Sequence, residues 1–431
     1  MSLTPERPRT RTTSDAGGPP HGPTRRPASV LVVGAGLAAT QTVAALREVG
    51  YSGHVTVLGA EGVAPYDRPP LSKHLLDHVS PAWLADEVGT DITSQADAVH
   101  LARPARGLVV TPDAVTVHTD AGDLTSDALV VATGAHAVLP GAWVGARTLH
   151  TWADAQELRT ALRPGDRLVV VGAGWIGAEV AGVAARAGVD VTVVEAAAAP
   201  LAGALGARVG ALTVPWYGEH GVRLLTGRTV AQVDARGVRL SDGTHLPADV
   251  VLAAVGARPA TAWLGDALPR EADGALRVDE GFAVLGAPGR HVRAVGDVTL
   301  RRSRRHGWVP GGHWDGALRD PAELVADLLE GDAAAAGRGD RAPYVFSTQL
   351  GHDLTLFGQP SAEDDVVLRG DPAADGGWTA LWYRPGGDTI SGVLTVDRPR
   401  DVGAARRLFT SATLPELARP LAADPDRPLR P

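Results

Sequence analysis

Ser29-Val-Leu-Val-Val-Gly-Ala-Gly-Leu-Ala-Ala-Thr-Gln-Thr-Val-Ala-Ala-Leu-Arg-Glu48 is the stretch whose reading decides the fold. Its apolar run Val30-Leu31-Val32-Val33 predicts a buried parallel strand ending at Gly34, and Gly36 and Ala39 follow at GxGxxA spacing. Gly34 permits a sharp turn, Gly36 leaves room for a pyrophosphate, and Ala39 lets helix and strand pack closely. Leu37 and Ala38 open a helix whose first amides would face the phosphates, with Ala39, Val43 and Leu46 on its inner face and Gly50 as its stop. This spacing alone leaves two readings open, because Gly-rich strand-to-helix turns also occur for purely structural reasons.

A second copy favours the nucleotide reading. Residues 168–171 form another apolar strand, Gly172, Gly174 and Gly177 repeat the spacing, and a helix is predicted from Trp175 and Ile176 to Gly188. The following strands also match, 55–58 in one copy and 191–194 in the other. Two strand–turn–helix–strand units in one chain predict two dinucleotide sites. Glu195 directly follows its strand, where a carboxylate accepts from a ribose 2′-hydroxyl, and residues 196–199 hold no arginine for a 2′-phosphate. NADH is therefore expected over NADPH. In the first copy the equivalent position is Gly59 and the nearest carboxylate is Glu61, which could reach an adenosine ribose or stay a solvated loop residue.

At 431 residues the chain is long enough for about three domains. No apolar run approaches the ~20 residues that span a bilayer, so no membrane insertion is expected. The net charge of −8 gives no reason to expect nucleic acid as a partner. Arg25-Arg26 resembles an export signal, but the apolar stretch after it is the first nucleotide-binding strand, and a cytoplasmic protein is expected. Residues 1–28 are too poor in apolar side chains to fold and should be a disordered tail, and 331–342 read as an Ala/Gly/Asp linker. The chain has no cysteine, which excludes a redox disulfide, a cysteine-ligated iron–sulfur cluster and a cysteine nucleophile. Electrons, if carried, must pass through bound cofactors. His306 and His313 lack partners at metal-ligand spacing, so no metal is expected.

Four further segments carry a family resemblance: Pro65-Tyr66-Asp67-Arg68-Pro69-Pro70-Leu71-Ser72-Lys73, Ala132-Thr133-Gly134, Gly296-Asp297 and Trp314-Asp315-Gly316-Ala317. Together with Tyr344-Val345-Phe346-Ser347-Thr348-Gln349, they resemble the FAD-dependent NADH:ferredoxin reductases of the putidaredoxin, rubredoxin and biphenyl-dioxygenase type. That family is related to the pyridine nucleotide-disulfide oxidoreductases but lacks the disulfide. The resemblance implies an α/β protein with two Rossmann-like dinucleotide-binding domains, for FAD and NAD, plus a C-terminal α+β domain. The expected boundaries are a FAD domain at 29–147 and 276–332, an NAD domain at 148–275 and a C-terminal domain at 343–415.

The resemblance further implies Lys73 and Glu179 as catalytic residues beside the flavin and nicotinamide. It also implies Arg68, Thr133, Gly134, Trp175, Gly256, Gly296, Asp297 and Trp314 as cofactor contacts. The alternative readings are Lys73 as the solvated end of a Pro-stiffened loop, Glu179 as a solvated helix residue and Trp175 as packing. The sequence departs from the family at Val138 (for Arg), Gly316 (for Asn), Phe346 (for Trp) and Thr348 (for Asp). The implied activity passes electrons from NADH through FAD to a ferredoxin-like iron–sulfur protein serving an oxygenase. Two other readings stay open: an NADH-dependent flavin oxidoreductase or oxidase acting on a small molecule, and a non-catalytic nucleotide-sensing flavoprotein. Arg301, Arg302, Arg304 and Arg305 crowd together after Asp297, either as a docking patch for an acidic ferredoxin or as a solvated arginine loop.

Overall fold

The computed structural model describes residues 26–331 and 339–430. Most of the expected tail, residues 1–25, and most of the expected linker, residues 332–338, lie outside the described residues.

Val30, Leu31, Val32 and Val33 are all buried, as a strand covered on both faces requires. The strand Ser29–Val33 pairs in parallel with His54–Leu58 on one side and Ala128–Val131 on the other. Ala98–His100 and Val292–Ala294 complete a five-stranded parallel sheet. The chain therefore leaves this sheet after Ala128–Val131 and returns to it with Val292–Ala294. Helix Leu37–Glu48 buries Ala39, Val43 and Leu46 completely and packs against helix Trp314–Glu330, to which the sequence analysis assigns no helix. The other face is covered by an antiparallel sheet of Ala105–Val110, Val115–Thr119 and Leu124–Ser126, whose Val115 and Val117 join the same core.

The inserted segment repeats this plan. Arg223–Leu225, Asp190–Val194, Arg167–Val171 and Val250–Ala253 form a four-stranded parallel sheet, with helix Trp175–Arg186 against it. Val230–Asp234, Gly237–Leu240 and His245–Pro247 supply the antiparallel layer. Thr151 caps helix Trp152–Ala161 in a full capping box with Asp154. Where the chain crosses between the two units, Ala135–Ala137 pairs antiparallel with Ala257–Pro259.

The third unit is a five-stranded antiparallel sheet, ordered Tyr344–Gln349, His352–Gly358, Ile390–Val396, Trp378–Tyr383, Asp365–Arg369. Both its faces are buried. One face, with Leu354, Leu356, Trp378 and Trp382, shares a core with the helix Trp175–Arg186, and the other packs on helices Pro399–Leu408 and Arg419–Ala423. This unit continues past the expected end at 415: Arg369, 2% exposed, donates to the carbonyls of Ala422 and Pro425 as well as to Asp401. Leu417, Ala422 and Leu429 complete that core, so the last turn of chain is needed to keep the Arg369 guanidinium hydrogen-bonded in the interior. Among the described residues no helix is long and apolar enough to cross a membrane.

Candidate functional site

The two glycine turns open onto one continuous cleft of about 1060 Å3, walled by both parallel-sheet units, residues 64–73 and the strand Tyr344–Gln349. At its first end Gly34 has φ +124°, and a Cβ there would lie 2.1 Å from the Ala132 carbonyl oxygen. Only glycine fits that turn. Gly36 has no atom within 4 Å of where its Cβ would be, and it caps helix Leu37–Glu48 without any side-chain hydrogen bond. Its position leaves the first amides of that helix, at Leu37 and Ala38, facing the cleft for an anion. The second end matches: Gly172 has φ +104° with a Cβ position 2.4 Å from the Ala254 carbonyl oxygen, and Gly174 is open. Both turns fit a pyrophosphate.

The acidic residues are placed differently at the two ends. Glu195 sits at the tip of its strand with Oε2 accepting from the Ala173 amide at 2.7 Å and Oε1 from the Ala197 amide at 2.7 Å. These bonds fix the carboxylate in the cleft wall beside the Gly172 turn. Glu61 also lines the cleft, but its oxygens are engaged by the Tyr66 hydroxyl at 2.6 Å and by Arg68. Burial pushes the Glu61 carboxyl up, yet Arg68 and the bonds from Tyr66 and Arg68 outweigh it and hold the group below its ordinary range. Arg68 also donates to the His150 carbonyl at 2.6 Å, so it clasps the cleft wall to the segment that starts the inserted unit.

Between the two ends, three units meet at one buried side chain. Glu179, 4% exposed, pairs with the Lys73 ammonium and accepts from the Ser72 and Ser347 hydroxyls, each at 2.5 Å. Gln349 in turn donates to the Ser347 oxygen at 3.0 Å. Lys73 is thus not a solvated loop residue and Glu179 is not on a solvated helix face. The Lys73 Nζ lies 5.2 Å from the Phe346 ring centre, and Trp314 meets that ring edge-on while its Nε1 donates to Asp67 at 2.7 Å. Gly296 and Asp297 form a tight turn at the cleft, where Asp297 accepts from the Gly312 amide at 3.1 Å. Thr133, Gly134 and Gly256 lie along the same wall, with Thr133 donating to the Ala260 carbonyl, and Trp175 and Ile176 line the end near Gly174.

Ser347, Gln349 and Tyr66 are not among the site residues expected from sequence, and Glu61 and Arg68, both expected as cofactor contacts, meet each other here beside Tyr66. The segment Tyr344–Gln349 carries the signal for the first pair, since Ser347 and Gln349 keep the family's residues while their neighbours depart. Of those departures only Phe346 reaches the cleft wall. Thr348 bonds Asp353 on an exposed hairpin, and Val138 is held through its amide on the Gly256 carbonyl. Among the described residues no cluster of His, Cys, Asp or Glu could hold a metal ion.

The arginine patch does not survive as a surface. Arg301 and Arg305 are 9% and 8% exposed. Arg301 pairs with Asp340 at 3.3 Å, and Arg305 donates to the carbonyls of Phe409 and Ser411 at 2.9 and 2.7 Å. They tie the Thr299–Ser303 strand to the third unit, because chain segments far along the sequence fold back over the hairpin. Arg302 reaches Glu280 at 2.9 Å and is partly buried, which leaves Arg304 as the exposed member.

Behind that hairpin, burial pushes the Asp320 carboxyl from 3.8 up to about 7, with Glu323 adding to the rise against the pull of Arg301 and Arg341. Between about pH 4 and pH 7 the native carboxyl therefore keeps a proton that the unfolded chain releases. Stability from this group is complete below about pH 4 and is lost as the pH rises through about 7. Asp320→Asn should flatten that decline, whose slope is at most ~1.4 kcal/mol per pH unit. Urea denaturation at pH 5 and pH 8 checks it; identical pH dependence in variant and wild type would remove Asp320 as the cause.

Comparison with known proteins agrees with this architecture. The family description "Pyridine nucleotide-disulphide oxidoreductase" matches residues 28–316, and "Reductase C-terminal" matches 344–431. The benzene 1,2-dioxygenase system ferredoxin–NAD(+) reductase subunit of Pseudomonas putida is 33% identical over 400 residues, covering 90% of this chain and 93% of that protein. Rhodocoxin reductase of Rhodococcus erythropolis is 32% identical over 430 residues, covering 93% of each. A chain of the covalent putidaredoxin reductase–putidaredoxin complex superimposes with a TM-score of 0.81 at 27% identity, covering 93% of this chain and 97% of that one. FAD and NADH are the cofactors of such enzymes, and the open Gly36 and Gly174 turns have the space both pyrophosphates need. The chain belongs to the pyridine nucleotide-disulphide oxidoreductase family, as an FAD-dependent oxidoreductase with the C-terminal unit of the ferredoxin–NAD(+) reductases.

Proposed function

We propose that this enzyme passes electrons from NADH through FAD to a ferredoxin-like iron–sulfur protein that serves an oxygenase, and that it works in the cytoplasm. The observation that carries the reading is the single cleft joining both glycine turns across the Lys73–Glu179 pair, since hydride transfer needs two dinucleotides in one cavity. In this reading FAD occupies the unit built from 29–147 and 276–332, NADH the unit 148–275, and the unit from 343 onward covers the place where they meet. FAD held there would supply the redox chemistry: uptake of hydride from NADH and release of single electrons to the acceptor.

The chain's own residues do the rest. The Gly34–Ala38 turn and the Gly296–Asp297 turn hold the first cofactor, and the Gly172–Gly177 turn with Glu195 orients the second. Lys73, kept in place by Glu179, offers a fixed positive charge where negative charge builds on reduction. The Phe346 ring lies over that charge and is itself held edge-on by Trp314, so one side of the ammonium faces ring surface, where its field is screened less than in water.

The test is anaerobic reduction of [2Fe–2S] ferredoxins by holoprotein and NADH. Flavin that is reduced by NADH yet hands electrons only to oxygen or a small organic acceptor would favour the oxidase reading instead. As purified, the protein should be yellow with non-covalent FAD. Gly34→Ala should lose FAD altogether, because the added methyl meets the Ala132 carbonyl oxygen at 2.1 Å. Retention of stoichiometric FAD by that variant, measured by release on denaturation, would contradict the assignment of the first turn.

A further inference from the structure

The sequence around Glu195 offers no cation, but the fold brings one in from a different strand. Residues 227–228 lie across the Glu195 loop: the Gly227 amide donates to the Ala197 carbonyl at 2.9 Å, and the Arg228 amide to the Glu195 carbonyl at 3.0 Å. The Arg228 side chain lines the same cleft as Glu195. Its Nη1 is pinned by Asp242 at 2.7 Å, with the arginine side chain 52% exposed, and Asp242 is itself anchored by the Thr244 amide at 2.9 Å. A guanidinium has five N–H donors in a rigid fork, and the contact with Asp242 engages it only through Nη1, with the side chain half exposed at the cleft.

We infer that Arg228 is a specificity-determining residue: a preset counter-ion for a phosphate on the adenosine ribose, which the carboxylate of Glu195 alone renders unusable. The inference rests on the reading of the Gly172–Gly177 turn as the NADH site. A fixed carboxylate beside the ribose repels a 2′-phosphate and at the same time accepts from a 2′-hydroxyl. Without its charge, an arginine with free donors stands next to the position a 2′-phosphate would take, and arginine binds phosphate through paired N–H groups. The nucleotide preference is therefore set by competition between two side chains over one ribose position, with Asp242 holding the cation in range.

The experiment compares wild type, Glu195→Gln, Arg228→Ala and the double variant as FAD-loaded protein. Gln keeps a carbonyl acceptor for one of the Ala173 and Ala197 amides; Glu195→Ser, which places no side-chain NH2 against the other amide, serves as the second background should Gln bind poorly. Two readouts are taken: calorimetric affinity for adenosine 2′,5′-bisphosphate against AMP, and stopped-flow flavin reduction by NADPH against NADH. Glu195→Gln should bind the bisphosphate at least roughly tenfold more tightly than wild type, as one charge-assisted contact implies. NADPH reduction should improve in parallel, and Arg228→Ala in that background should abolish both gains. Equal bisphosphate affinity in Glu195→Gln with and without Arg228 overturns the inference while leaving the NADH reading intact. A wild type that is reduced as fast by NADPH as by NADH, or by neither, overturns both.

Discussion

Glu179→Ala is expected to destabilise the protein by about 3–5 kcal/mol, the range for removing one partner of a buried ion pair. The Lys73 side chain is 16% exposed and would lose its ion-pair partner, while the hydroxyls of Ser72 and Ser347 would lose that acceptor together. Such an orphaned cation costs more than the pair itself contributes, because the pair's attraction is largely offset by desolvation. Glu179→Gln keeps a carbonyl for one hydroxyl and should lose less. Chemical denaturation of FAD-loaded protein measures both, and the order of the variants matters as much as the size. An alanine variant with an unchanged midpoint would mean that Lys73 finds solvent by a small rotation and that the buried network contributes little.

The second large effect concerns Gly177. A Cβ there would sit 2.0 Å from the Gly172 carbonyl oxygen, a backbone atom that cannot rotate away. Gly177→Ala should push helix Trp175–Arg186 off its strand by roughly an ångström, enough to cost on the order of a hundredfold in hydride transfer. FAD content and reduction by dithionite should be untouched, since the other turn is not involved. The first copy makes the comparison sharp: Ala39 occupies the corresponding place and is fully buried without conflict. The two turns therefore differ in how closely helix and strand approach. Wild-type flavin reduction by NADH in Gly177→Ala would show that the second turn relaxes as the first has.

Features legible in the sequence are local ones. Gly34 and Gly172 could be read because a positive φ and a close carbonyl are demands made by a few neighbouring residues, and glycine is their only answer. The parallel strands were legible because burial on both faces leaves an unbroken apolar run. Helix Trp314–Glu330 is a missed signal: Pro321, Leu324, Val325 and Leu328 recur at helical spacing and are buried, but a proline within the run reads as a break. Arg301 and Arg305 are a different failure. A cluster of arginines looks like surface until the residues that cover it are known, and Asp340, Phe409 and Ser411 lie far along the chain. Ser347 beside Glu179 and Arg228 beside Glu195 are equally tertiary facts, invisible to any spacing rule.

The third unit also has no surface of its own toward helix Trp175–Arg186. A Cβ at Gly182 in that helix would lie 3.0 Å from the Leu350 amide nitrogen, and Leu350, Leu354 and Trp378 belong to the same apolar cluster as Val180 and Val183. The sheet is consequently not a module that can be exchanged between relatives or expressed alone; cut away, it would leave both halves with bare hydrocarbon facing water. In hydrogen exchange its central strand amides should open with the same free energy as those of the Arg167–Val171 sheet, as one cooperative block. Change in the third unit is thereby coupled to the nucleotide-facing helix, because neither can shift without the other repacking.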